Sequence, residues 1–192
     1  MIVLSECQRV LSSIEVSDDY FLKQHFYMEG FFKRLLFIGL RLNSVQYKTA
    51  QDVITTYHES LEKMIERAWT LSGFDYKNDV SEYGNYKNLE GYFVKFTAKY
   101  RNYRVHGIYD EIKDNELLLL LVTINSKYFK VCNDYISNKG KPSVFNEPKN
   151  WGATRGNKED VAQVYSRLMN KIKPKVEIYT KEDIKKWLNE NP

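Results

Sequence analysis

Residues 116–136 read ELLLLLVTINSKYFKVCNDYI. Six consecutive apolar residues, Leu117–Val122, fit either a buried strand or a buried helix. The continuation favours a helix, because apolar residues keep a period near 3.6 at Leu117, Leu121, Ile124, Tyr128, Val131 and Tyr135. Asp114 or Asn115 can cap its start. We therefore predict a long helix here.

The same periodicity predicts three long helices before this segment. They span Ser17–Leu42, Thr49–Leu71 and Tyr86–Arg104. Ser17 is a plausible N-cap of the first helix, and Gly73 and Gly107 follow the second and third helices where C-terminal caps are expected. The polar stretch 74–85 is predicted to be a loop. Together with the helix over 116–136, this pattern predicts an all-α fold built on four long helices.

Beyond the fourth helix, residues 137–160 contain two of the four prolines and several glycines, which predicts a loop. A helix is expected from Asn157 or Asp160 to Lys173, followed by a brief extended stretch at 176–179. Thr180, with Asp183 three residues on, predicts a last short helix over Lys181–Asn189. We therefore expect a main bundle over 1–138, with residues 139–192 forming a basic loop and a C-terminal helical extension packed on the same domain.

Composition limits the class of protein. With 192 residues, 43% of them apolar and 28% charged, the chain can form one well-packed core and resembles a soluble globular protein. Its net charge of +4 permits an acidic partner without requiring one. Cys7 and Cys132 indicate neither a disulfide framework nor a cysteine zinc site. With neither a signal-like N-terminus nor a membrane-length apolar run, we expect a soluble, unprocessed cytoplasmic protein.

The third predicted helix ends in KYRNYRVHG, residues 99–107, which places Arg101 five residues before His106. Five residues rotate about 140° beyond a full turn, so the two side chains would diverge in an unbroken helix. They can converge only if the helix ends between them, and Gly107 supplies a reason for that end. The spacing therefore predicts Arg101 on the last turn and His106 on the exit.

Arg101 also continues a row of small or slim side chains on its helix: Gly91, Val94, Thr97 and Ala98. Such a row permits close approach by another backbone, and a permanent charge within it needs a partner or a wet cleft. An arginine beside an imidazole and the polar Asn102 is a reasonable place to hold a phosphate.

Arg101, Asn102 and His106 at the end of the third of four long helices resemble the motif of the HEPN superfamily. That motif is Arg, a polar residue that is often Asn, about three more residues and then His, on a four-helix bundle. The stretch HFYMEGFFKRLLFIGL, residues 25–40, is similar to a long helix of many members. The resemblance covers residues 17–138 and leaves 139–192 unaccounted for. It implies a four-helix up-down bundle.

The resemblance further implies an endoribonuclease that needs no metal or cofactor. His106 would take the 2'-hydroxyl proton or protonate the departing 5'-oxygen, Arg101 would stabilise charge on the phosphate, and Asn102 would orient the phosphate or the histidine. Arg104, Lys99 and Tyr109 would contact the substrate, a single-stranded RNA or tRNA. Family members usually form homodimers with a composite site. A toxin or antiviral defence role, with a neutralising antitoxin or regulatory protein, is also implied.

Two other interpretations stay open. In the first, the bundle is a non-catalytic adaptor that binds a protein or nucleic acid, and Arg101 and His106 are contact residues. In the second, both residues only offset the negative end of a helix dipole, as Arg104 and Lys99 would do equally well. His25 and His58 lie in the first two helices, and neither shares an evident metal-binding face with a second histidine or with a carboxylate four residues on, so we interpret them as structural or solvent-facing.

Overall fold

The computed structural model describes residues 17–56, 59–75, 79, 86–153, 161–168 and 179–191. Within these ranges all regular structure is helical and no strand occurs, which confirms the predicted all-α class for this part of the chain. The longest of these helices have 25 and 24 residues, but none of the helices described combines the length and apolarity needed to cross a membrane.

The first half of the chain forms α1 (Asp18–Leu42), α2 (Tyr47–Thr55) and α3 (Leu61–Leu71). A continuous helical run follows, made of α4 (Tyr86–Gly91), a π-helical segment (Tyr92–Thr97) and α5 (Ala98–Val105). The second half contains α6 (Asn115–Asn138), a 3₁₀ turn (Pro148–Trp151), α7 (Val161–Leu168) and α8 (Lys181–Glu190). The expected extended stretch at 176–179 lies, apart from Tyr179, outside the described residues, as does His58.

Several predicted caps are confirmed at atomic detail. The backbone N–H of Tyr20 donates to Oγ of Ser17 over 3.2 Å, and that of Leu117 donates to Oδ1 of Asp114 over 3.0 Å. Thr180 and Asp183 form a reciprocal capping box at the start of α8. Each bond gives a side-chain acceptor to a backbone N–H group at the start of a helix, where no carbonyl of the helix is in reach. These side chains therefore set where α1, α6 and α8 begin.

The single helix predicted over Thr49–Leu71 is wrong, because the structure contains two helices there. The hydroxyls of Thr55 and Thr56 both donate to the carbonyl oxygen of Asp52, over 3.0 and 2.7 Å, at the end of α2. Ser60 then adopts an extended conformation, and its Oγ accepts from the N–H of Lys63 over 3.4 Å. Hydroxyl side chains thus compete with helix continuation and cap the next helix, although the apolar period runs on.

The helix predicted over Tyr86–Arg104 forms, but it is not regular. Tyr92–Thr97 is a π-helix, and the N–H of Ala98 bonds to the carbonyl of Phe93, five residues earlier. Oγ1 of Thr97 donates to the same carbonyl over 2.9 Å. A π-helical turn holds one residue more than an α-helical turn. Counting 3.6 residues per turn through this segment therefore assigns residues after it to the wrong face of the helix.

The chain divides into two compact units. Unit 1 comprises residues 1–28, 84–132 and 176–192, and unit 2 comprises residues 29–83 and 133–175. Each unit thus contains residues from before and after the domain boundary expected between residues 138 and 139. That boundary stays a prediction.

Unit 1 is built around α6, whose buried Leu117, Leu121 and Ile124 pack with Phe96 of the π segment. The C-terminal helix completes this core through Ile184, which is fully buried. Near Gly91 the ring of Tyr179 comes so close that an added Cβ would lie 2.7 Å from its hydroxyl oxygen. Residues 179–191 are therefore an integral part of the core of unit 1.

Unit 2 has an aromatic core centred on Trp69, which is fully buried. Its ring lies 5.9 Å from Phe32, 5.4 Å from Phe74 and 5.5 Å from Tyr135, all near edge-to-face. Trp151 packs against Phe74 at 6.1 Å, although it lies in the segment predicted from its prolines and glycines to be a loop. Edge-to-face contacts between aromatic rings add to the stability that the rings already contribute through their buried area.

Gly39 provides a stability test with an internal control. An added Cβ would lie 2.7 Å from Cβ of Leu71 and 2.9 Å from its carbonyl carbon, so Gly39→Ala is expected to lower the free energy of unfolding by about 1–3 kcal/mol. At Gly30, in the same helix, a Cβ meets nothing within 4 Å, and Gly30→Ala is expected to raise it by about 0.5–1 kcal/mol. Urea unfolding measures both values, and equal effects of the two variants would contradict this packing.

Candidate functional site

The end of α5 places His106 where the helical run stops. Its backbone N–H still bonds to the carbonyl of Asn102 over 2.9 Å, whereas Gly107 adopts a left-handed φ of 67°. The N–H of Ile108 then reaches back to the carbonyl of Tyr103 over 2.8 Å, which closes the helix end. The left-handed position suits glycine because a Cβ there is strained. The predicted helix end at Gly107 is confirmed, and the His106 side chain is exposed.

Arg101 is half-buried on the last full turn of α5. Its Nη1 donates to Oδ1 of Asn102 over 2.9 Å, and its guanidinium carbon lies 5.1 Å from the ring centre of Phe26 in α1. The Phe26 ring is itself 44% exposed. Contacts with an amide oxygen and an aromatic ring orient a guanidinium group. The structure thus joins Arg101 to Asn102 and to Phe26, which no pattern in the sequence indicated, and the predicted roles of Arg101 and Asn102 stay predictions.

Arg104 has a different set of contacts. Its Nε pairs with Oδ2 of Asp18, a carboxylate that is 6% exposed, and its Nη1 donates to the carbonyl of Tyr109 over 3.0 Å. The pair connects the end of α5 to the first turn of α1, where a negative charge also favours the helix dipole. These contacts are structural, and a role for Arg104 in binding RNA stays a prediction.

Lys99 of α5 and Tyr109, which follows the end of that helix, lie along a line of aromatic rings. Nζ of Lys99 is 5.6 Å from the ring centre of Tyr103, and the rings of Tyr103 and Tyr109 meet edge-on at 5.0 Å. Tyr100 continues the line toward the core, 6.1 Å from Tyr103. Burial raises the pKa of the Tyr100 phenol. The exposed Lys99 and Tyr109 are therefore the members of this line that a ligand can reach.

Beneath this surface, the π segment holds a buried polar contact. The ring of His25 is fully buried, stacked on Phe93 at 4.7 Å, and its Nδ1 lies 3.4 Å from Oγ1 of Thr97. His25 is therefore a core residue, in line with its structural interpretation. Its position between Phe21 and Met28, at spacings of four and three, is the sequence signal that places it on the buried face of α1.

The row of small residues is already partly covered within the chain. Thr97 is buried against His25, and Gly91 faces the ring of Tyr179. These two positions therefore do not offer the approach to another backbone that their size suggested. A different surface surrounds the motif, consisting of large apolar side chains with 42–61% exposure: Phe26, Val105, Ile108 and Tyr109.

Comparison with known proteins identifies no relative: no family model, no curated protein and no solved structure matches the chain. The candidate site is therefore characterised by its own geometry. It combines an oriented guanidinium, an exposed imidazole at the helix end, an amide and exposed rings. Such a set can bind a phosphate, move a proton and stack on a base.

Proposed function

We propose that the chain is a metal-independent endoribonuclease of the HEPN type, folded as a four-helix up-down bundle with a C-terminal extension. The observation that supports it best is the setting of Arg101, whose guanidinium is held by Asn102 and Phe26 five residues before an exposed histidine. Phosphodiester transfer requires a cation that stabilises charge on the phosphate and a side chain, such as that of histidine, that can transfer a proton.

In the proposed reaction the RNA 2'-oxygen attacks the neighbouring phosphorus as it loses its proton, and the bond from phosphorus to the 5'-oxygen breaks. His106 takes the first proton or supplies one to the departing oxygen. Arg101 binds the phosphate oxygens, on which negative charge grows in the transition state. The products are a 2',3'-cyclic phosphate and a 5'-hydroxyl, so atoms and charge balance without a metal ion.

We further propose that two copies of the chain pair around the motif and act in the cytoplasm, in a toxin or antiviral defence role. Val105 and Ile108, 49% and 61% exposed beside the motif, offer an apolar surface for a second copy. Lys99 and Tyr109, reachable from solvent, are positioned to contact a single-stranded RNA or tRNA. A cognate antitoxin or regulator would bind over the same surface.

The test is cleavage of single-stranded RNA and tRNA in excess EDTA, with the product ends identified. We expect cyclic phosphate ends, undiminished by EDTA, and a rate about 10²–10³-fold lower for Arg101→Ala, the range for losing one donor to a developing charge. The matched control is Lys87→Ala, which removes the charge of an exposed lysine on α4 outside the motif. This variant should cleave RNA at the rate of the unaltered chain.

A second candidate function rests on the exposed apolar side chains around the motif: a non-catalytic adaptor that binds a partner there. The same experiment separates the two functions. If the chain is an adaptor, we expect the folded protein not to cleave RNA, or to show a trace of cleavage that Arg101→Ala leaves unchanged.

A further inference from the structure

The exposed face of α5 lies between Arg101 and Tyr103. An α-helix turns by about 100° per residue, so Asn102 and His106 lie about 100° and 140° around the axis from Arg101. Tyr103 lies about 200° around in the same sense. His106 follows the last residue of α5, but its N–H keeps the helical hydrogen bond to Asn102, so the count extends to it. Asn102 and His106 are exposed, whereas Arg101 and Tyr103 are half-buried, which agrees with this placement.

Phe26 of α1 borders this face on the side of Arg101. The guanidinium carbon of Arg101 lies 5.1 Å from the centre of the Phe26 ring. With that contact in place, 44% of the Phe26 side chain is still exposed. Lys23, about one turn earlier on α1, is exposed as well. A ligand on this side of the face can therefore reach both an aromatic ring and a lysine.

Tyr109 borders the same face on the side of Tyr103. The two rings meet edge-on at 5.0 Å, and the Tyr109 side chain is 42% exposed. Nζ of Lys99 lies 5.6 Å from the centre of the Tyr103 ring, and Lys99 is exposed. The exposed face of α5 thus has a reachable ring and a reachable lysine on each of its two sides.

Rings and cations in this arrangement fit an unpaired nucleic-acid strand. Neither Phe26 nor Tyr109 belongs to the hydrophobic core of unit 1. Proteins that bind single strands combine cations for the phosphates with aromatic side chains on which successive bases stack. In a duplex the bases are paired and stacked on each other, so their faces are not open to a side chain. A phosphate at the motif would have a neighbouring base near each ring.

We propose that unit 1 binds its substrate as an unpaired strand laid across α5, with one base stacked on Phe26 and another on Tyr109. This binding mode rests on the proposed nuclease function, because it places the phosphate between the two bases at the motif. It adds the requirement that the nucleotides on both sides of that phosphate are unpaired. Loops and single-stranded ends of RNA meet this requirement, and paired stems do not. Phe26 becomes a substrate-binding residue.

The test measures binding of the whole chain to three probes by fluorescence anisotropy at low salt. They are a short 2'-O-methyl RNA strand, the same strand annealed to its complement, and an abasic strand with the same backbone. The methyl groups block the attacking 2'-oxygen, so binding is measured independently of cleavage. We expect the single strand to bind at least about tenfold more tightly than the other two, since both lack open bases. Binding of the duplex or the abasic strand as tight as that of the single strand would overturn the proposal.

Single variants test each ring separately. Phe26→Leu and Tyr109→Leu keep an apolar side chain but remove the ring, and each should weaken binding of the single strand by about fivefold or more. Phe26→Tyr and Tyr109→Phe keep the rings and should bind like the unaltered chain. The matched control is Tyr47→Leu, which removes a ring of unit 2 that is 57% exposed and should leave the affinity unchanged.

The abasic strand separates stacking on Phe26 from an effect of Phe26 on Arg101. If Phe26 stacks on a base, Phe26→Leu should leave binding of the abasic strand unchanged. If the ring only positions Arg101, Phe26→Leu should weaken binding of both strands alike, which would overturn the proposal. Lower self-association of Phe26→Leu in sedimentation, with unchanged affinity for the single strand, would assign the ring to an interface between copies and overturn it as well.

Cleavage of RNA distinguishes this binding mode from the proposed activity. If the unaltered chain cleaves RNA, and Phe26→Leu and Tyr109→Leu bind and cleave it equally well, the nuclease function stands and the stacking on both rings is wrong. If the 2'-O-methyl strand binds in a ring-dependent way to a chain that cleaves no RNA, the nuclease function is wrong and the stacking is confirmed.

Discussion

Replacing His106 by alanine is expected to slow RNA cleavage by about 10²–10⁴-fold, the usual contribution of a general acid or base. The variant should change the cleavage rate without changing the fold, because the hydrogen bond of this residue at the helix end is made by its backbone N–H, which donates to the carbonyl of Asn102. The side chain itself is exposed, so its loss should change the free energy of unfolding by no more than about 0.5 kcal/mol. Single-turnover cleavage and urea unfolding measure the two quantities.

The double variant Arg101→Ala, His106→Ala sharpens this prediction. Groups that act together in one step are strongly non-additive, so the double variant should be little slower than the slower single variant. A cleavage rate of His106→Ala within about threefold of the unaltered chain would reject the histidine as a catalytic residue. The adaptor function would then account best for the exposed surface.

Replacing Trp69 by alanine is expected to lower the free energy of unfolding by about 3–5 kcal/mol. The indole is fully buried and contacts Phe32, Phe74 and Tyr135, so its removal leaves a cavity bordered by rigid rings. A loss of this size is a large fraction of the stability of an ordinary domain. Urea unfolding followed by circular dichroism measures it.

Trp69→Phe is the control, since it keeps an aromatic ring and removes less volume. Its cost should be clearly smaller than that of the alanine variant, because the cavity term grows with the volume left empty. Tyr47→Ala, which removes a ring that is 57% exposed, should cost about 1 kcal/mol or less. Similar losses in all three variants would contradict the central position of Trp69 in unit 2.

Where a helix starts or stops was predictable when a local side chain sets the boundary. Ser17, Asp114 and Thr180 cap helices as expected, and the left-handed glycines at 73 and 107 end them. The break after Thr55 was not predicted, because the apolar residues keep their helical period through it. There, competition for carbonyls by hydroxyl groups outweighed the periodic pattern.

The candidate site was predictable to the extent that its contacts are local. Arg101 and Asn102 are neighbours in sequence, and Gly107 marks the helix end. Phe26 and Asp18 reach the site from residues more than 70 positions away, and no spacing in the sequence links them to α5. Such contacts depend on how the helices pack, which residue periodicity alone does not determine.

The π-helical segment Tyr92–Thr97 bears on how this chain is aligned with other proteins. Between the same two end points, a helix with one π-helical turn holds one residue more than a regular helix. An alignment without gaps can match the residues before the segment or those after it, including Arg101, but not both. A one-residue gap placed within 92–97 brings both halves into phase. Motif searches that fix the distance from the start of this helix to its arginine should therefore allow one extra position.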